Sequence, residues 1–308
     1  MNINTLTLIL SDTLRAATPL VLAALGELVT EKSGVLNLGV EGMMLVGAVA
    51  GFIGALESGN LYLGLLVAMV MGTVIALIHA VLTISFGANQ VATGLALTIF
   101  GSGLSAFVGA DYVGKTIVGL QPQGIPIFKS IPILGLALFN QDILVYGSVV
   151  LVVLVRWFLR STRAGLVLRS IGESPDSADA LGLPVTGIRY LAVMFGGALA
   201  GLAGAYLSLA YTPLWAENMT AGRGWIAIAL VVFATWKPER ILFGAYLFGG
   251  VSAIQLVLQA LGVNVSPYLL SSLPYLVTIL VLVLISRNGT RIQLGAPATL
   301  GQPFRSSH

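Results

Sequence analysis

The sequence predicts an all-α fold, a polytopic transmembrane helical bundle of about nine spans. Three observations carry this. Of 308 residues, 57% are hydrophobic and only 9% are charged, and the mean hydropathy is +0.97; a soluble domain carries about 25% charge. Apolar runs long enough to cross a hydrocarbon core of about 30 Å recur along the chain. In lipid such repeated spans must be helices, because each segment has to satisfy its own backbone polar groups. Finally, the 15 lysines and arginines fall mostly on one side of such a bundle. The net charge of +3 therefore reads as membrane topology, not as a nucleic-acid footprint. There are no cysteines, which excludes disulfides, thiolate chemistry and cysteine metal sites.

The spans are expected at 5–28, 35–56, 61–85, 89–110, 142–159, 189–210, 222–236, 240–262 and 273–286. Arg15 lies inside the first, where a charge needs an internal partner such as Asp12, three residues back on the same face. Asn37 and Glu41 enter the second and share a face if the helix starts that early. Two readings stand for them: groups lining a substrate path, or an interfacial structural carboxylate and its neighbour. His79, in the third span, has no HExxH partner and reads as a packed polar residue. Asn89, Gln90 and Thr93 open the fourth, either as path-lining groups or as caps. The seventh span is short, and its Trp225 and Phe233 either stack on a planar ring or simply pack. It is taken as a full span kinked near Gly222 and Gly224. Making it re-entrant would send Arg287, Arg291 and Arg305 to the opposite side.

Charge placement sets the orientation. With 160–188 and the tail in the cytoplasm, Lys32, Arg156, Arg160, Arg163, Arg169, Arg189, Lys237, Arg240, Arg287, Arg291 and Arg305 lie in or beside cytoplasmic segments. Lys115, Lys129 and Arg223 fall outside. An odd span count then puts the N-terminus outside. The opening MNINTLTLIL has no basic region, so no cleavable signal peptide is expected. One transmembrane domain, 1–286, is followed by a short flexible tail, 287–308. The two long loops are 111–141, facing outward, and 160–188, facing the cytoplasm.

The stretch GADYVGKT, Gly109 to Thr116, matches the P-loop pattern letter for letter. A working P-loop follows a strand and opens a helix. This one follows a membrane helix and precedes IVGLQPQGIP, whose Pro and Gly forbid a regular helix. It reads as a helix end with Lys115 at the interface. No Ser/His/Asp set, metal cluster or paired membrane carboxylates stand out, so no enzyme, metal or cofactor is expected.

The segment RSTRAGLVLRSIGESPDSADALGLPV carries more. Ser174 suits an N-cap, Pro175 the first helical position and Asp176 the first turn. Gly182 and Pro184 stop the helix, which is expected over roughly 175–181. Ala178, Ala180 and Leu181 give it an apolar face. Such a helix suits a groove on a soluble partner; an ordinary polar loop is the other reading.

Three stretches, SGVLNLGVEGMMLVGAVAG, IGESPDSADALGLPV and ENMTAGRGWIAIALVVFATWKPERILFGAYLFG, resemble the membrane permease of bacterial ABC importers, and more narrowly the nucleoside branch related to ribose and simple-sugar permeases. They fall in family order across 33–249. The sugar branch has a GG-rich segment where this chain has FATWKPER, which favours nucleosides. The resemblance implies a subunit of the cytoplasmic membrane working by alternating access at the interface with a second permease, often a paralogue. It implies a cytoplasmic ATPase that hydrolyses ATP and an extracellular binding lipoprotein that delivers substrate. It makes GESPDSADALG a coupling helix, with Glu173, Ser174, Pro175, Asp176, Ala178, Asp179 and Gly182 facing or shaping the ATPase contact. Substrate-path residues are expected among Asn37, Glu41, Asn89, Gln90, Thr93 and Trp225. A simple sugar as cargo, and an ion-coupled secondary transporter, are the alternatives.

Overall fold

The computed structural model describes residues 3–124, 134–260, isolated positions between 266 and 283, and 295–304. Among these, seven helices are long and apolar enough to cross a bilayer. They are α1 (Ile3–Lys32), α2 (Val40–Ser58), α3 (Leu61–Ala80), α4 (Gln90–Gly109), α6 (Ile143–Ser161), α9 (Val185–Tyr206) and α11 (Pro238–Ala260), each matching an expected span. The expected span 273–286 lies, but for isolated positions, outside the described residues. Lys32 Nζ, at the end of α1, donates to Gly295 O at 2.8 Å. Since α1 runs 30 residues, about 45 Å, its start and Gly295 lie at opposite ends of the bundle.

Polar side chains set the helix starts. Asn60 accepts from Tyr62 N and Leu63 N, Asn89 from Ala92 N, and Asp142 from Leu144 N and Val145 N. Each satisfies donors that the first turn leaves without intrahelical partners. Asp142 also accepts from Tyr206 Oη at 3.1 Å, which ties α6 to α9.

At the centre, α9 packs against α1, α2 and α3. Ala192, Val193, Leu199, Ala200 and Ala203 of α9 are buried with Leu25 and Leu28 of α1 and Val46 of α2. Lipid provides little hydrophobic drive between helices, so close backbone approach carries the packing. Small residues permit it: a Cβ on Gly72 would lie 2.8 Å from Gly201 Cα, and one on Gly201 would overlap the Ala68 carbonyl.

Two expectations are corrected. The second helix starts at Val40, not near 35, so Asn37 precedes it and shares no helical face with Glu41. The seventh span is not a full helical crossing: α10 (Arg223–Phe233) has 11 residues, about 16 Å. Before it, α9 ends in a π turn, Leu207–Tyr211, and 212–222 is irregular, with Asn218, Ala221 and Gly222 at positive φ. The long loop 111–141 also contains regular structure. It carries a short helix α5 (Leu134–Leu138) and an antiparallel pair of β1 (Gln123–Gly124) with β2 (Asn140–Gln141). Leu120 N donates to Leu209 O and Ile117 N to Pro213 O, which seats this loop on the break between α9 and α10.

Candidate functional site

One end of the bundle carries a platform. Thr162 closes α6 and opens α7 (Arg163–Glu173), its Oγ1 accepting from Gly165 N at 3.0 Å. The whole of α7 was unexpected; its Gly165 and Gly172 mask the helical pattern of GLVLRSIGE. Ser174 then caps α8 (Pro175–Ala180), accepting from Ser177 N at 3.3 Å. Gly182, at φ +78°, ends α8 as Gly182 N donates to Asp179 O and Leu183 N to Ala178 O. Pro175 and Ala178 face inward, while Glu173, Asp176 and Ser177 are exposed. Leu181 is 80% exposed at the tip. The result is a short acidic, apolar-tipped knob standing between two membrane helices.

The tail holds the underside of this knob. Thr299 donates to Gly172 O through both N (3.1 Å) and Oγ1 (2.7 Å). Gly301 N donates to Gly34 O at 3.2 Å, and Gln90 Nε2 to Gln302 O at 3.4 Å. Phe304 packs on the cluster of Ile171, Ala178 and Val185, and its ring lies 5.6 Å from the Arg189 guanidinium. Arg189 in turn donates Nε to Ser33 O at 3.0 Å. Residues Gly295–Phe304 are therefore a strap that joins α7, α8, the α1–α2 turn and the start of α4, not the free end the sequence led us to expect.

Above the platform, buried polar groups stitch the bundle. Glu27 Oε1 accepts from Asn37 N at 3.0 Å, and Asn37 Oδ1 accepts from Gly39 N. Glu31 accepts from Trp236 Nε1. Glu27 and Glu31 are fully buried one turn apart on α1, so the expectation of no paired membrane carboxylates is corrected. No signal flagged them, because their partners are a backbone N–H and a tryptophan far along the chain. Gln90 accepts from Leu36 N at 2.7 Å, Asn89 caps α4, and Thr93 N donates to Asn89 O. His79 Nε2 meets Leu36 O at 3.1 Å.

Glu41 accepts three hydrogen bonds from one distant segment. Oε1 accepts from Thr220 Oγ1 (2.6 Å) and Gly222 N (2.8 Å), and Oε2 from Gly224 N (2.6 Å). It caps the broken start of α10 from α2, where a helix N-terminus favours negative charge. Glu41→Gln must turn an amide N–H toward one of those donors. A loss of roughly 3 kcal/mol is expected, seen as a lower melting temperature of the detergent-purified chain.

A cavity of about 600 Å³ lies beside the 212–222 break, between α1, α10 and α11. Its polar wall is Asp12, Arg15, Tyr211, Arg223, Ser252 and Gln255. None of Asn37, Glu41, Asn89, Gln90, Thr93 and Trp225 lines it; Trp225 is 38% exposed. Arg15 interacts electrostatically with Asp12 but forms no ion pair with it within 4.0 Å, and it donates Nη2 to Ala210 O at 2.8 Å. The P-loop match lies elsewhere: it spans the end of α4 and a turn at Ala110–Tyr112, with Lys115 Nζ 4.4 Å over the Tyr112 ring.

Comparison with known proteins places these features among transporters. Residues 9–285 match the family described as branched-chain amino acid transport system / permease component. The "Putative glucose ABC transporter permease protein TsgC13" of Haloferax volcanii is 43% identical, over 96% of this chain and 97% of its own. The guanosine ABC transporter permease protein NupQ of Bacillus subtilis is 33% identical over 97% of both chains. The nucleoside ABC transporter permease protein NupC of Lactococcus lactis subsp. cremoris is 30% identical, over 92% and 93%.

Proposed function

Because the chain belongs to the family of branched-chain transport permeases, a membrane-spanning transport subunit and not an enzyme, we propose that it is one half of the channel of an ATP-driven nucleoside importer. The observation that carries this is the exposed α8 knob. Its position between two spanning helices, at the end richest in arginine and lysine, supports contact with a cytoplasmic ATPase. ATP binding on that partner closes the ATPase pair, α8 is pushed, and the two permease subunits switch the side they open to. The N-terminus then faces outward, where a binding lipoprotein delivers the solute. The second permease is a paralogue, in keeping with the two differently named nucleoside permeases, NupB and NupC, of Lactococcus lactis among the relatives.

The names of the relatives at 33% and 30% identity support nucleosides as cargo, as does the FATWKPER segment. A simple sugar is the second reading, favoured by the relative at 43% identity. The test is uptake of a labelled nucleoside by cells expressing the complete importer, in competition with unlabelled nucleosides, ribose, glucose and free nucleobases. Competition by nucleosides alone is the expected result. Competition by glucose alone overturns the nucleoside reading in favour of the sugar.

A further inference from the structure

The wall of the 600 Å³ cavity is chemically unusual for a bundle of membrane-spanning helices. Asp12 and Arg15 stand three residues apart on α1, on one face. The Arg15 guanidinium lies 6.0 Å from the Tyr211 ring, and that of Arg223 lies 5.8 Å from the same ring. Both cations are held by backbone carbonyls: Arg15 by Ala210 O at 2.8 Å, Arg223 by Met219 O at 3.3 Å and Thr220 O at 3.2 Å. Among the described residues neither has a carboxylate oxygen within 4.0 Å; Arg15 also interacts with Asp12 and with the Tyr206 hydroxyl, yet each guanidinium, with five donors, has donors to spare. Asp12 accepts no hydrogen bond among the described residues. An ionised group within a span is costly and normally finds a partner or faces a substrate pathway.

The cavity size suits one small ring-bearing solute. Its signs alternate over a few ångströms, so a cation is opposed by Arg15 and Arg223 and an anion by Asp12. A neutral solute that presents donors and acceptors side by side is not opposed. Adjacent hydroxyls do this: each donates to a carboxylate oxygen and accepts from a guanidinium. Ser252 and Gln255 add polar atoms on the α11 wall, while Ile226, Phe248 and Leu256 offer an apolar surface for the rest of the ring system.

We propose that this cavity is a diol-reading site, in which Asp12 accepts from, and Arg15 and Arg223 donate to, vicinal hydroxyls of a neutral furanose or pyranose. It deepens the importer reading and rests on it for direction of transport, but not for binding. Ribonucleosides and free sugars share this chemistry, and the arms of the test separate them.

The absence of native cysteines permits a direct probe. Ser252→Cys places a thiol in the wall, and its modification by a charged methanethiosulfonate is followed in the purified full chain. Protection by adenosine or guanosine, but not by their 2′,3′-dideoxy forms, is expected if the cargo is a nucleoside. Protection by glucose, weakened with 2-deoxyglucose, is expected if it is a sugar. Adding Asp12→Asn should weaken that protection by at least about tenfold in concentration, since a site built around a hydroxyl rejects what it cannot hydrogen-bond. Because Asp12 accepts no hydrogen bond from the described residues and forms no ion pair with them within 4.0 Å, the variant should fold, as size-exclusion chromatography would verify. Equal protection by diol and deoxy forms, no protection by any of these solutes, or an Asp12→Asn chain protected like its parent overturns the site. Protection without ATP-dependent uptake would leave the site standing and overturn the importer reading alone.

Discussion

Replacing Gly201 by leucine should leave no folded chain in the membrane. A Cβ at Gly201 overlaps the Ala68 carbonyl oxygen of α3, and one at Gly47 of α2 overlaps the Gly201 backbone itself. Three helices thus meet at this position with hydrogen as the largest tolerated side chain. Backbone oxygens cannot move aside as a flexible side chain can. Overpacking by even small groups costs about 1–3 kcal/mol, and leucine adds four carbons on both sides of the seam. That is a large fraction of a total stability of roughly 5–15 kcal/mol. Gly201→Ala should be the graded version, folded but with a melting temperature lower by several degrees. The control is Gly103→Ala or Gly147→Ala, where an added Cβ meets nothing within 4 Å. Detergent-extracted yield and melting curves of the four variants test the claim. A Gly201→Leu chain that accumulates and melts like the parent would sink it.

That seam was hidden in the sequence, although the helices that form it were not. Hydropathy alone places each long described helix, because twenty apolar residues have few fates other than a span. It cannot say which of 37 glycines face a neighbour. The same limit explains the second helix, whose approach, GVLNLG, is apolar enough to pass for its first turn. In the structure that stretch is a buried turn held by Glu27, Gln90 and His79. The α8 helix was legible because capping is local: Ser174, Pro175 and Gly182 act on neighbours in the chain. Partners of Arg15, Glu31 and Glu41 were illegible because they sit 195, 205 and 179 or more residues away. Three of those contacts are made to backbone atoms, which any residue type supplies. The strap was misread for a similar reason. GAPATLGQP has the composition of a flexible end, yet it is held mostly through backbone groups that composition does not reveal.

Ending the chain before Gly295 should separate ATP hydrolysis from uptake. Four hydrogen bonds to Gly172, Gly34 and Lys32, and the Phe304 packing under Ala178, would be lost together. At about 1 kcal/mol net for each hydrogen bond, the loss is a few kcal/mol. It falls almost entirely on α7, α8 and the α1–α2 turn, while the α1, α2, α3 and α9 core keeps its contacts. The shortened chain should therefore insert and bind its ATPase through the exposed face of α8. On the importer reading proposed above, what it loses is the stiff footing that would turn a push on α8 into movement of α1 and α9. Uptake per ATP hydrolysed should fall about tenfold, a coupling loss of about 1.4 kcal/mol. Phe304→Ala, which removes the ring beside Arg189 and beneath Ala178, should reproduce part of that fall. Thr299→Val should do less, because Thr299 N still reaches Gly172 O. Reconstituting the full importer in vesicles, and measuring both uptake and ATPase rate, distinguishes this from simple destabilisation. Core variants such as Gly201→Ala lower both rates in proportion to the folded fraction; strap variants should change their ratio. A truncated chain with normal yield and an unchanged ratio would mean that the strap plays no part in coupling.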